Sequence, residues 1–230
     1  MDHMALLKKF IRDKEDSDIV GHGFPFVTIT RQAGAGGHIL ARTILEELDK
    51  RSKTDELFEG WDLFDQTVCA LVMQDPDISA SFDSLVSEEY RSETQQMVAD
   101  IFTGRSEQYA TYKRIFEIVR ILGTLGKAVI IGRAGVCVTR NLPHGIHIRL
   151  IASEETRIKN VMLEQNTARE AAIKSMKKQD SERERLIRDF FDADLDNFLL
   201  YDAVFNVDKQ NSVELAKLIV QMIRSKAKKN

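Results

Sequence analysis

The stretch "VTITRQAGAGGHILA", residues 27–41, decides the fold. It opens as an apolar strand, falls into glycines at 34, 36 and 37, and resumes as a helix in which Ala41, Ile44, Leu45 and Leu48 stand at i, i+3, i+4 and i+7. Strand, glycine turn and helix in that order suit an anion, because glycine lets the backbone approach closely and the N–H groups of the helix start face the ligand. The letters fit neither common phosphate loop. A dinucleotide fingerprint needs a glycine where Ile39 stands, and aligning Gly36 with the last glycine of G-x-x-x-x-G-K-[ST] puts Arg31 at the first glycine, Gly37 at the lysine and His38 at the Ser/Thr. The loop alone therefore leaves two readings open: a cradle in which Gly34, Ala35, Gly36 and Gly37 wrap phosphate with Arg31 and His38 assisting, or a plain tight turn.

Outward from the loop, short apolar runs alternate with helical patterns: "FVTIT" (26–30), "WDLF" (61–64), "AVIIG" (128–132), "IHIRLI" (146–151) and "AVFNV" (203–207). That alternation predicts an α/β domain with a five-stranded parallel sheet. A helix follows the fourth run, with Ser153 as its cap and Glu154 and Glu155 in its first turn. Residues 66–125 read as a helical insertion, with Ile115, Ile118, Val119 and Leu122 on one face. From about 165 to 200 the chain is dense in Lys, Arg, Asp and Glu, a pattern that predicts solvated helices with i,i+4 ion pairs. One domain over 1–230 is expected, its core at 24–65 and 126–223. The amphipathic start "MALLKKFIRDKEDSD" (4–18) reads as a docking helix or a frayed terminus.

Composition bounds the function. The 230 residues are 43% apolar, enough for a sizeable core, and a net charge of −3 gives no global attraction to nucleic acid or an anionic membrane. No apolar run approaches the ~20 residues a membrane-spanning helix needs. Two cysteines, Cys69 and Cys137, are too few for a disulfide framework and suit the cytoplasm. The histidines at 3, 22, 38, 144 and 147 show no zinc spacing with them. Trp61 reads as packing at a domain edge, and His22 and the tail "RSKAKKN" (224–230) as a loop residue and a solvated basic end.

Read together, the loop, "GKAVIIGRAG" (126–135), "HIRLIASEETRIKNVM" (147–162) and "YDAVFNVDKQNSVELAKLI" (201–219) resemble in order and spacing the cytidylate kinases, and above all the cytidylate kinase-like family whose loop reads R-x-x-G-x-G-G. The resemblance spans roughly residues 26–223 and implies a P-loop kinase fold with a helical monophosphate-binding region at 66–125 and a lid at about 165–200. It also implies ATP and Mg²⁺ as cofactors and a nucleotide or other small phosphate acceptor. Matched residue by residue, it gives Arg133 the acceptor phosphate, Arg183 and Arg188 the transferring phosphates, and Asp65, Arg157 and Asp180 places at the substrate. Magnesium ligands are not assigned. The family aspartates flanking the strand-end Gly-Arg are here Ile131 and Ala134, and the first lid arginine is Met176 beside Lys177 and Lys178. Those departures leave three functions in play: a nucleoside-monophosphate kinase acting first on CMP or dCMP, an inactive nucleotide-binding regulator of kinase descent, and a kinase of another small metabolite.

Overall fold

A computed structural model of the protein describes residues 3–15, 23–102 and 110–228. His22 and the last two residues of the basic tail fall outside them. Each of the five apolar runs forms a strand: β1 (Phe26–Arg31), β2 (Asp62–Phe64), β3 (Ala128–Ile131), β4 (Gly145–Ile151) and β5 (Ala203–Asn206). They pair in parallel in the order β2-β3-β1-β4-β5. Parallel neighbours must be joined by crossovers, and helices supply them. Helix α1 (His3–Glu15) precedes the sheet and α2 (Gly37–Ser52) follows β1; α3 (Gln66–Gln74), α4 (Pro76–Ser84), α5 (Glu88–Ile101) and α6 (Ala110–Leu125) lie between β2 and β3. Helix α7 (Gly135–Thr139) leads to β4, α8 (Glu154–Gln165) and α9 (Arg169–Phe191) to β5, and α10 (Ser212–Ala227) ends the chain.

The period of two along each strand sorts the core into two layers. Val27, Ile29, Val129, Ile131, Ile146 and Ile148 face α2 and α10. Phe26, Ala128 and Ile130 face the other way, toward a layer built from α1, α3, α6, α7 and the far end of α9. The chain thus leaves β1 to one face and the adjacent β3 to the other, and a crevice opens at the carboxyl ends of these two strands. Sheets of this kind bind ligands at such a point.

Helix α1 docks. Leu7, Phe10 and Ile11 are buried, and the Phe10 ring meets Phe64 edge-on at 4.8 Å. Trp61 packs under α2 and donates from Nε1 to the Leu57 carbonyl at 2.8 Å. The charged segment forms one long helix, α9, whose Ala172 and Met176 pack on Ile158 and Val161 of α8 while Phe190 joins Phe102, Tyr112 and Phe116 at the other end. No helix among the described residues is long and apolar enough to cross a membrane.

One buried polar pair ties β1 to β4. His147 Nδ1 lies 2.8 Å from Thr28 Oγ1, and both residues are buried. Burial pushes the imidazole pKa down, partly offset by Asp202, with Lys226 pushing the same way as burial. Below about pH 6.5 the unfolded chain therefore takes up the proton before the folded one does, and stability is lost as pH falls through that value. Urea denaturation between pH 7.5 and 5.5 should show stability falling with pH, this one proton contributing no more than about 1.4 kcal/mol per pH unit, with a shallower slope in His147→Gln.

Candidate active site

Arg31 leaves the end of β1 and runs through a slot made by two glycines. A Cβ on Gly37 would lie 3.2 Å from Arg31 Cγ, and one on Gly132 would lie 2.3 Å from Arg31 Nη1, so alanine at 132 would evict the guanidinium. Gly132 opens a turn in which three successive residues have left-handed backbones: Gly132 at φ 71°, Arg133 at 51° and Ala134 at 56°. For the two with side chains this costs about 1–2 kcal/mol each. The turn delivers Arg133 to the crevice, where it hydrogen-bonds Gln66. Arg183 reaches the same place from α9. Arg31, Arg133 and Arg183 line a cavity of about 350 Å³, floored by Thr30 and walled by Tyr112, Val136, Leu186 and Ile187.

Three cations converge there, with Glu182 the carboxylate in the same lining. Among the described residues the Arg31 guanidinium makes no hydrogen bond and no ion pair. Burial, and then the like charges of Arg183 and Arg133, push its pKa down to about 9, with Asp65 pulling weakly upward. Arg183 is also lowered, first by burial, although Asp180 at 3.2 Å supports it. Guanidinium remains charged at neutral pH under such pressure. A partly buried cation without a partner, beside two of its own sign, is unfavourable until an anion arrives.

The glycine loop is gripped from outside by α8 and α9. Arg157 Nε donates to the Ala33 carbonyl at 2.9 Å, Asn160 Nδ2 donates to the Gly34 carbonyl at 2.8 Å, and Asp180 accepts from the Ala33 N–H at 2.7 Å. Arg157 and Asp180 also pair with each other. Two of the expected substrate residues therefore bind the loop and one another, and neither lines the cavity between Arg31, Arg133 and Arg183. Ala35 is buried beneath the loop. Gly34 approaches α8 so closely that a Cβ would sit 2.4 Å from the Arg157 carbonyl oxygen, whereas a Cβ at Gly36 would meet nothing within 4 Å.

His38 Nε2 lies 3.4 Å from Asp65 Oδ2. Asp65 caps α3 by accepting from Thr67 N at 2.8 Å and Val68 N at 3.2 Å. The His38 hydrogen bond first, and these backbone donors with it, hold the carboxyl well below the usual carboxylate range against the opposing effect of burial. Arg188 stays apart: it is exposed and does not line the cavity. Gln66 and Tyr112, which the sequence did not single out, do line it, as does Glu182. Both thiols are free and buried, and burial pushes Cys69 up to about 12 and Cys137 to about 11, so neither is a thiolate nucleophile at neutral pH.

The donor set fits a phosphate chain, since Arg31 is a cation waiting for an anion beside an open glycine turn. Among the described residues no group of three His, Cys, Asp or Glu side chains forms a metal cage. Magnesium that travels with nucleotide phosphates needs only one or two protein carboxylates. Glu182 lines the cavity, and Asp65, kept ionised, precedes the lining residue Gln66 without lining the cavity itself; the two fit that smaller demand.

The chain belongs to the cytidylate kinase-like family, whose model matches residues 26–209. Among solved structures it is similar to the crystal structure of an uncharacterized protein from Eubacterium ventriosum, with a TM-score of 0.66 and 19% identity over 87% of this chain and 98% of that one. That likeness is one of fold. No curated protein matches the chain.

The two loop glycines separate strain from contact. Alanine at Gly36 should cost roughly 1–2 kcal/mol for its left-handed backbone, and alanine at Gly34 at least about 1 kcal/mol more, because it also collides with α8. Urea midpoints of the two variants, at equal m-value, check the order.

Proposed function

We propose that the protein is an ATP- and Mg²⁺-dependent nucleoside-monophosphate kinase, with CMP and dCMP as the first acceptors. Family membership supports a nucleotide-kinase-like phosphotransferase, and the observation that carries the finer reading is the unpaired Arg31 between Arg133 and Arg183 at the carboxyl end of the sheet. Phosphoryl transfer asks a protein for alignment and positive charge more than for covalent chemistry. In this scheme the backbone N–H groups of the glycine loop and Arg31 bind donor phosphates, and Arg133 holds the acceptor phosphate. Arg183, carried by α9, adds charge where the transferring group passes. Bound Mg²⁺ supplies further neutralisation of phosphate oxygens, with Asp65 and Glu182 the carboxylates to hold it or its waters. The walls of Tyr112, Leu186 and Ile187 exclude water from the acceptor side, which limits idle hydrolysis. We place the enzyme in the cytoplasm, on the two buried free thiols.

A nucleotide-binding regulator would use the same cradle without transfer. The missing loop lysine, and Ile131 and Ala134 where aspartates flank the strand-end Gly-Arg in the cytidylate kinases, favour it. The same two positions also favour a kinase whose acceptor carries no cytosine.

ADP release decides among these. With ATP, Mg²⁺ and a panel of nucleoside monophosphates, one acceptor should stimulate release, and Arg133→Ala should abolish the stimulation, by roughly 10²-fold or more if its contact tightens in the transition state. ATP binding without stimulation by any nucleotide would give the regulator, and stimulation by a different phosphorylatable metabolite would give the third reading.

A further inference from the structure

Strand β4 carries an arginine in the interior of the sheet. Arg149 stands in register between Thr30 of β1 and Val204 of β5, next to buried Ile148 and Leu150, and is itself only 5% exposed. Its guanidinium is incompletely matched. Nη2 donates to Asp196, Nη1 lies 3.4 Å from the Tyr201 hydroxyl, and the buried Nε has no partner among the described residues. The matching carboxylate comes from outside the core, since the Asp196 side chain is 70% exposed on the segment that follows α9. A buried cation left with an open donor and a solvent-borne counter-charge is poorly compensated for its desolvation.

A second cavity, of about 100 Å³, explains where that charge is directed. Arg149 lines it with Arg31, Arg157, Arg183 and Gln32, the last at the entry of the glycine loop. Arg133 is absent from this lining, whereas Arg31 and Arg183 border both cavities. The charges thus run from Arg133 on the acceptor side, through the shared pair, to Arg149 beside the loop. We propose that Arg149 is a phosphate-binding residue on the donor side, held by Asp196 until a polyphosphate chain displaces that carboxylate. It supplies, from the sheet, a cation that the loop lacks at Gly37. Asp180 and Glu184 also border the small cavity, but Asp180 is engaged by Arg157 and Arg183, and among the described residues Glu184 makes no ion pair with Arg149, so Asp196 is the carboxylate that directly competes with the incoming phosphate for this guanidinium. The inference rests on the phosphotransferase reading of the neighbouring cavity.

The two partners should respond in opposite directions. Calorimetric titration with inorganic tripolyphosphate and with ATP, on the full chain, should show Arg149→Ala weakening both ligands about tenfold or more, as loss of a charged hydrogen bond does, and Asp196→Asn tightening both severalfold. If Arg149 and Asp196 merely anchor the segment after α9, both variants will melt earlier and the folded protein will bind as wild type does, which overturns the proposal. Should Arg149→Ala fail to fold, Asp196→Asn decides alone, because it replaces an exposed side chain: unchanged or weaker binding is against the inference. Loss of binding in Arg31→Ala, with wild-type affinity in both Arg149→Ala and Asp196→Asn, sinks this inference and leaves the kinase reading standing. A wild-type protein that binds neither ligand defeats both.

Discussion

Mutual repulsion among Arg31, Arg133 and Arg183 is the constraint on which the rest of the site depends. Folding brings three guanidinium groups to one crevice and, among the described residues, gives Arg31 no carboxylate within ion-pair distance, only the more distant pull of Asp65 and Glu164. Arg31 is admitted by shape: Gly37 and Gly132 leave room for it where a Cβ would crowd its stem and its guanidinium. The left-handed turn from Gly132 to Ala134 is the local distortion that opens that slot and aims Arg133. Strain and repulsion at one place are what a pre-organised anion site requires, because a ligand then meets charges that need no further assembly.

The remainder of the molecule holds this arrangement in place. Opposite exits from β1 and β3 create the crevice, and the two core layers fix the strands on either side of it. Arg157, Asn160 and Asp180 hold the glycine loop by its own carbonyls and N–H, so that α8 and α9 act as a brace as well as a cover. Helix α9 is packed at both ends, on α8 through Met176 and on α6 through Phe190. A displacement of this helix would therefore disturb apolar contacts at both of its ends.

Much of this was legible in the sequence, for reasons that differ by element. Buried parallel strands read as apolar runs, and all five were found, with ends shifted by a residue at most. The parallel sheet and the family followed from their order. Amphipathicity of the first helix named a face but no partner, so its docking on α3 beside Phe64 needed the tertiary structure. Met176 stands where the family has a lid arginine because here the position is apolar contact, 2% exposed. Helix phase separates Arg188 from its neighbours: Gln179, Arg183 and Leu186 share the cavity face at i, i+4 and i+7, and Arg188 lies off it. By contrast, the slot at Gly132, the engagement of Arg157 with Asp180, and the setting of Arg149 arise from contacts between segments distant in the chain. No spacing within one segment reports them.

The direct measure of the central claim is the unfolding free energy of Arg31→Met with and without ATP. A residue kept for anion binding at the expense of repulsion should destabilise the free protein. The variant should then be more stable than wild type in the absence of ligand and gain nothing from ATP at concentrations that stabilise wild type by mass action. A variant that is less stable when free, yet gains from ATP as wild type does, would show that Arg31 is a structural residue and that phosphate is held elsewhere.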